Sequence, residues 1–316
     1  MTGEVSFPAF IARRLALLAL TLVLVPSLSF VAFTLIQGDH TAPLDVIGEL
    51  GSYLAAVFLQ GDLGSGAFHG QTFLRTRSAL DVVMQGFLVD CYLLGAAIAL
   101  GVVIGLAAGA VQATRPRSLA ARAIGAGTVI GISAPVYWLG LVALLLFAPE
   151  VGSIAQVPFL STVNGYRDPF DDPLGFAHGL WLPALIIATP LAAACTRMCA
   201  SQLRGTLEED FVRTARGKGV GPRRVVWRHA LPVAAGPVVA LVGVNMNVVL
   251  TNLALIETVF NIPGGFRYIE RALVNRDVDL VQALVVEATL FIVLANFTAD
   301  AVHAWLDPRV RNGEPV

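Results

Sequence analysis

Gly217-Lys218-Gly219 holds the only lysine of the chain, and a glycine–lysine pair is where phosphate chemistry would be sought first. A phosphate-cradling loop needs G-x4-G-K-[ST], so that backbone N–H groups hold the phosphates and the hydroxyl reaches Mg²⁺. Here Val212 stands at the first glycine and Gly219 at the Ser/Thr position, so the pattern fails. No H-E-x-x-H, G-x-S-x-G or Cys-x-x-Cys run occurs. Cys195 and Cys199 fall at helical i, i+4 spacing, which could offer two thiols to a soft metal. No His or further Cys stands beside them, and they read as small packing residues, without a disulfide framework. The chain is therefore read as non-enzymatic, with no catalytic residue, metal site or cofactor site of its own.

What remains is a set of polar residues inside apolar runs: Asp90, Asn245, Asn247, Asn252, Glu287 and Asn296. Burying them costs free energy unless they pair or line water. Asn245, Asn252 and Glu287 are read as candidates for a polar translocation path, Asn245 and Asn252 sharing a face two turns apart. Interhelical hydrogen bonding that fixes packing is the competing reading. Glu257 is placed at an outer mouth.

The elements that would carry these residues follow from composition. Of 316 residues, 56% are hydrophobic and only 14% charged, and mean hydropathy is +0.74. Soluble domains carry about a quarter charged residues. A net charge of −1 with long apolar stretches excludes a disordered chain and a basic nucleic-acid-binding domain. Six runs are long enough to cross a bilayer as helices: 15–36, 87–111, 124–147, 181–200, 236–256 and 281–302. The first exceeds a usual signal-peptide core, lacks a small-residue cleavage pattern and is read as a retained span. Pro135 and Pro190 are expected to kink or interrupt their spans. Gly101, Gly105 and Gly109 recur at i, i+4 and predict close helix approach. Outer loops 37–85 and 149–179 are expected to carry short interfacial elements.

Orientation follows from charge. With the N-terminus inside, fifteen of the twenty-one basic residues face the cytoplasm: Arg13, Arg14, Arg115, Arg117, Arg122, Arg309, Arg311 and the eight within 197–228. Arg75, Arg77, Arg167, Arg267, Arg271 and Arg276 lie outside among thirteen carboxylates. The positive-inside rule then places both termini in the cytoplasm. The expected fold is an all-α polytopic membrane protein of six transmembrane helices, organised as one domain over 1–316.

The most structured polar segment is the cytoplasmic loop 204–232. Thr206 with Glu209 reads as a capping box, and Glu209 and Arg213 as an i, i+4 pair. Leu207, Phe211 and Ala215 form a narrow apolar stripe, Arg213, Arg216 and Lys218 gather at the C-terminal end, and Gly217 and Gly219 stop the helix. Pro222 after Gly221 opens a second helix up to Pro232. Such a helix lies on the inner leaflet or docks in a protein groove, and the physics leaves both open.

The loop resembles the E-A-A-x3-G-x9-I-x-L-P segment of ABC importer permeases. Arg213, Thr214 and Ala215 stand at the first three positions, Gly219 at the glycine, His229 at the isoleucine and Leu231-Pro232 at the end. Arg213 and His229 depart from the general pattern, but the run from Asp210 to Gly219 is similar to the R-T-A-R-x-K-G version of the dipeptide, oligopeptide and nickel branch. Further points of resemblance are the stretches Ile11-Ala12-Arg13-Arg14-Leu15, Gly61-Asp62-Leu63-Gly64 and Ser133-Ala134-Pro135-Val136-Tyr137-Trp138-Leu139-Gly140. Three more follow: Glu257-Thr258-Val259-Phe260 to Pro263-Gly264, Asn275-Arg276-Asp277, and Leu306-Asp307-Pro308-Arg309-Val310-Arg311. Only about 24 residues separate Ile36 from Gly61, a short first outer loop for that family.

The resemblance implies a type I ABC importer transmembrane domain in the bacterial cytoplasmic (inner) membrane, moving di- or oligopeptides or a related small solute. It implies coupling through Leu207, Phe211, Arg213, Thr214, Ala215, Arg216, Lys218 and Gly219. It further implies a second homologous permease, two ATPase subunits or a fused pair that bind ATP and Mg, and an extracytoplasmic solute-binding protein. The lipid bilayer is the remaining partner, and nucleic acid is not one. The alternative is an autonomous ion- or proton-coupled secondary transporter using Asp90 or Glu287, although the inverted repeats expected there are not evident. The orientation is checked by single cysteines at Ser118 and Asp171: an impermeant thiol reagent added outside intact cells should label position 171 and spare position 118, and the reverse pattern overturns it.

Overall fold

The computed structural model describes residues 7–37, 43–63, 79–147 and 170–306. The expected elements at 64–78 and 148–169, and the Asp307–Arg311 part of the last resembling stretch, lie outside the described residues. Among the described residues the regular structure is helical throughout: α1 Phe7–Gln37, α2 Pro43–Ala55, α3 Ala79–Thr114, α4 Leu119–Ser133, α5 Val136–Phe147 and α6 Pro173–Thr206, then α7 Asp210–Gly217, α8 Pro222–Val225, α9 Leu231–Val244, α10 Met246–Phe260, α11 Gly265–Val274 and α12 Val278–Leu306. With no water in a bilayer core to satisfy N–H and C=O groups, helices that bond internally are the solution open to so apolar a chain. Leu20 and Leu28 on α1 are 59% and 60% exposed, a surface suited to lipid rather than water.

Side-chain caps, rather than hydropathy, set several helix boundaries. Asp172 Oδ1 accepts from Gly175 N at 2.9 Å, with Pro173 at the first position, so α6 starts eight residues before the apolar run at 181. Ser118 Oγ accepts from Ala121 N at 3.1 Å and starts α4. Gly61 ends the π turn at Ala56–Gln60 with φ 66°, a left-handed conformation that glycine adopts at little cost. The Asn275-Arg276-Asp277 run closes α11 and opens α12. Arg276 takes φ 57°, Asp277 N donates to Ala272 O at 3.0 Å, and the Asp277 carboxylate accepts from Leu280 N at 3.1 Å.

Two expected spans are not single straight helices. The 124–147 run is α4 followed by α5, bent by 115°. Pro135 lacks the N–H to continue the ladder, and Ala134 before it is extended at φ −78°, ψ 132°. The 236–256 run is interrupted at Asn245, between α9 and α10. By contrast α6 continues through Pro183 and Pro190. Among the described residues, five helices are long and apolar enough to cross a membrane, or up to seven crossings if each of two bent helix pairs is one span. The amphipathic α11 was not anticipated, although Gly265, Tyr268 and Ala272, its buried positions, recur at helical spacing.

The chain divides into two compact units, residues 1–91 with 263–316, and residues 92–262. In the first, α12 packs against α1 and α11. Its core joins Val82 and Val83 of α3, Tyr268 and Ala272 of α11, and Leu280 and Leu284 of α12. Phe87 and Phe266 each meet Phe291 edge-on. In the second unit α6 is central, packing against α4, α5, α9 and α10. The anticipated glycine face of α3 meets α6 there. A Cβ at Gly101 would come within 2.9 Å of Leu191 Cδ2, and one at Gly109 within 2.6 Å of Cys199 Cβ. A Cβ at Gly105 would overlap the side chain of Cys195. Both cysteines are fully buried, in the packing role read from the sequence. Gly105→Val should therefore lower stability by about 1–3 kcal/mol through overpacking. A thermal melt in detergent checks it, and an unchanged midpoint would contradict the close approach.

Candidate coupling loop and intramembrane polar residues

The loop 204–232 lies wholly within the 92–262 unit. Its first boundary differs from the expected capping box. Thr206 is the last residue of α6, buried, and its hydroxyl donates back to Gln202 O at 2.9 Å. Bound to its own helix, it caps nothing downstream. The N-cap of α7 is Glu209, without a side-chain cap bond, and Leu207 lies between the two helices. The ion pair also differs: Arg213 Nη1 meets Asp210 Oδ1 at 3.4 Å rather than Glu209, with both side chains largely exposed. Such a pair contributes little. Asp210 in the first turn and Arg216 in the last still match the helix dipole.

What anchors α7 is Val212, fully buried, while α8 packs against it and buries Val225. Val212 was not among the predicted stripe residues. At 100° per residue it sits a quarter-turn from Phe211. The face carrying Phe211, Thr214, Ala215 and Lys218 is therefore turned away from the anchoring contact. Phe211 is 44% exposed, Ala215 half-buried, and Arg213, Thr214, Arg216 and Lys218 are exposed. Leu207 is half-buried and precedes the helix, so the expected three-residue stripe reduces to Phe211 and Ala215 on α7.

Gly219 terminates α7 through a Schellman arrangement. Val220 N donates to Ala215 O at 3.2 Å, and Gly219 N to Arg216 O at 2.9 Å. The glycine holds φ +81°. Gly217 remains within the helix. Gly221 then precedes Pro222 at the first position of α8, as the sequence indicates. The second helix does not stop at Pro232. A π turn at Val226–Ala230 leads into α9, with Leu231 N donating to Val226 O. In a regular α-helix the Pro232 ring would press on the Arg228 carbonyl; this carbonyl lies within the wider turn.

The intramembrane candidates separate. Asn245 sits at the break between α9 and α10, its amide donating to Leu241 O at 2.9 Å. It does not share one continuous helix with Asn252, which is buried on α10. Glu287 belongs to the other unit. There it is 2% exposed, beside Asp90 at 0%. Gly265 N, at the start of α11, donates to Asp90 Oδ1 at 3.3 Å, and a Cβ on Gly265 would overlap the Glu287 carboxylate. Glycine is required a second time: a Cβ at Gly86 would come within 2.8 Å of Gly265 N. Two glycines thus allow α3 and α12 to bring carboxylates to one helix N-terminus, whose partial positive charge favours them. Asn296 bonds its own helix at Ile292 O, and Asn247 is exposed. Glu257 is fully buried on α10 rather than interfacial.

Residues 101–312 match the family described as binding-protein-dependent transport system inner membrane component. The chain is 30% identical to the di/tripeptide transport system permease protein DppB of Pseudomonas aeruginosa, covering 96% of this chain and 99% of that one. It is 28% identical to the dipeptide transport system permease protein DppB of Escherichia coli, covering 96% and 98%. A putative peptide transport system permease protein of Brucella abortus is also 28% identical, over 96% and 99%.

The turn at Gly219 yields a direct expectation. Gly219→Val should cost about 1–3 kcal/mol locally, because a β-branched residue is strained at positive φ. Gly217→Ala, at a helical position with open space around it, should be neutral or slightly stabilising. Limited proteolysis of the loop reads the difference, and equal sensitivity of the two variants would contradict the assignment.

Proposed function

We propose that this chain, which belongs to the family of binding-protein-dependent transport inner membrane components, is the permease through which a bacterial ATP-driven importer moves peptides. The fold is that of the type I ABC importer membrane domain, in a multi-pass membrane protein, and ATP hydrolysis in such importers is supplied by separate subunits. The full chain serves as one transmembrane domain in the bacterial cytoplasmic membrane, with six crossings and both termini inside. A second homologous permease completes the channel. Two ATPase subunits, or a fused pair holding ATP and Mg, sit beneath it, and an extracytoplasmic binding protein delivers di- or oligopeptides. The names of the relatives support the peptide cargo.

One observation carries the coupling step: α7 is anchored through Val212 and leaves Phe211 exposed on a different face. An aromatic on a short helix, flanked by Thr214, Ala215 and Lys218 and ringed by Arg213 and Arg216, suits a cleft in a soluble partner. Leu207 precedes it at the end of α6, and Gly219 fixes where it stops. Motion of the ATPases then reaches α6 through the three-residue turn before α7, and α9 through α8 without a break in the helix. Asn245, Asn252 and Glu287 are assigned to the translocation path, Asn245 at a helix break where a polar group can turn toward cargo.

Proteoliposomes holding the complex purified through this chain provide the test. Tripeptide uptake should require the binding protein and ATP on the opposite side, persist with ionophores that collapse ion gradients, and fall at least about tenfold with Ala215→Asp, which buries a charge against the partner. Uptake driven by an imposed proton gradient without ATP would overturn the reading in favour of a secondary carrier.

A further inference from the structure

Within the 92–262 unit, the end of α3 and the start of α8 enclose a pocket of about 420 Å³. Its lining is two-sided. Buried Ala110 and half-buried Val111 and Val226 make an apolar floor, while Thr114, Arg115 from the end of α3, Arg223 from α8 and Trp227 are exposed around it. Arg223 and Trp227 are one helical turn apart. Both arginines are exposed, and among the described residues neither guanidinium makes an ion pair. Trp227 is 58% exposed at the head of a run, Pro222–Val244, that is long and apolar enough to cross a membrane. Tryptophan at such a boundary matches the headgroup level, where one side of the ring is apolar and the other wet.

Each part of this pocket fits a different part of one molecule. Two guanidinium groups from separate helices can fork onto phosphate oxygens. The apolar floor leads from that point along the span, where the first methylenes of an acyl chain would follow. A free phosphate would leave the floor uncovered. An acidic protein segment would find only two unpartnered cations and a wall of valine and alanine.

We propose that Arg115, Arg223 and Trp227 form a binding site for the phosphate headgroup of an anionic phospholipid, in the leaflet bordering the coupling loop. The choice of leaflet rests on the orientation given above; the ligand chemistry does not. The site lies where α3 ends and α8 leads into α9, so a bound lipid ties the end of α3 to the second helix of the loop.

The test uses the assembled transporter purified through this chain, stripped by a detergent wash and titrated with phosphatidylglycerol, with phosphatidylcholine as the neutral comparison, read by native mass spectrometry. Wild type should take up phosphatidylglycerol preferentially. Arg115→Gln with Arg223→Gln should weaken that uptake by about thirtyfold, because each glutamine keeps an amide donor but loses the charge-assisted guanidinium fork onto phosphate. Arg117→Gln with Arg122→Gln, which removes the same charge from exposed positions that do not line the pocket, should leave it within about twofold of wild type, since neither guanidinium would reach the bound phosphate. Equal binding by the Arg115/Arg223 variant and wild type overturns the proposal, as does an equal loss in the control, which would mean diffuse surface charge. Displacement of the lipid by inorganic phosphate at matched concentration would instead mark a soluble-anion site. Loss of the ATPase subunits from the Arg115/Arg223 variant with lipid binding intact would assign the pocket to a protein partner; either result also overturns it.

Discussion

Where α3 crosses α6, the side chains of Leu191, Cys195 and Cys199 fill space that only glycine at 101, 105 and 109 leaves open. In a lipid setting, water does not drive helices together, so dispersion contacts at close backbone approach supply much of the association. The second unit depends on this contact. α6 carries most of its residues buried against α3, α4, α5, α9 and α10, and Cys199 Sγ donates weakly to Leu106 O at 3.7 Å. The glycine at 140 does the same for α5, where a Cβ would come within 2.9 Å of Ile256 on α10. Small residues at fixed positions thus set how closely these helices approach, while large apolar residues such as Leu191, Leu203 and Leu253 fill the interior and others such as Val103 and Val129 face outward.

The coupling role proposed for the loop 204–232 rests on how closely that loop is tied to this packed centre. α6 runs without a break from the Asp172 cap to Thr206, and α7 follows after three residues. A push on α7 cannot dissipate in a long linker. Val212 and Val225 tie the loop to the unit, and Gly219, held at positive φ by the two hydrogen bonds that close α7, fixes the angle at which the chain turns back. Arg213 and Arg216 around it are exposed.

Much of this was legible in the sequence because it rests on local chemistry or on composition. Apolar runs marked helices, the i, i+4 glycines marked the α3 contact, Pro135 marked the break before α5, and Gly219 and Pro222 marked the end of α7 and the start of α8. Other features depended on tertiary context. Thr206 and Glu209 have the spacing of a capping box, yet burial at Leu203 and Thr206 extends α6 across the first of them. Asn245 breaks a run that hydropathy reads as continuous, since hydropathy senses burial and not backbone direction. Asp90, Glu257 and Glu287 are buried beyond what their positions near the ends of apolar runs imply. The meeting of Asp90 and Glu287 at the start of α11 joins residues far apart in the chain. Only the spacing of Gly265, Tyr268 and Ala272 hinted at that helix.

In the proposed mechanism α7 is the surface through which ATPase movement enters the membrane. Incorporating a photo-crosslinking phenylalanine analogue at Phe211, and in a parallel sample at Leu174, which is 83% exposed near the other end of α6, tests that contact in the assembled transporter. The predicted result is an adduct between position 211 and an ATPase subunit that changes in yield when ATP is added, with no such adduct from position 174. Crosslinks from position 211 to lipid alone, in a complex that still imports peptide, would contradict it.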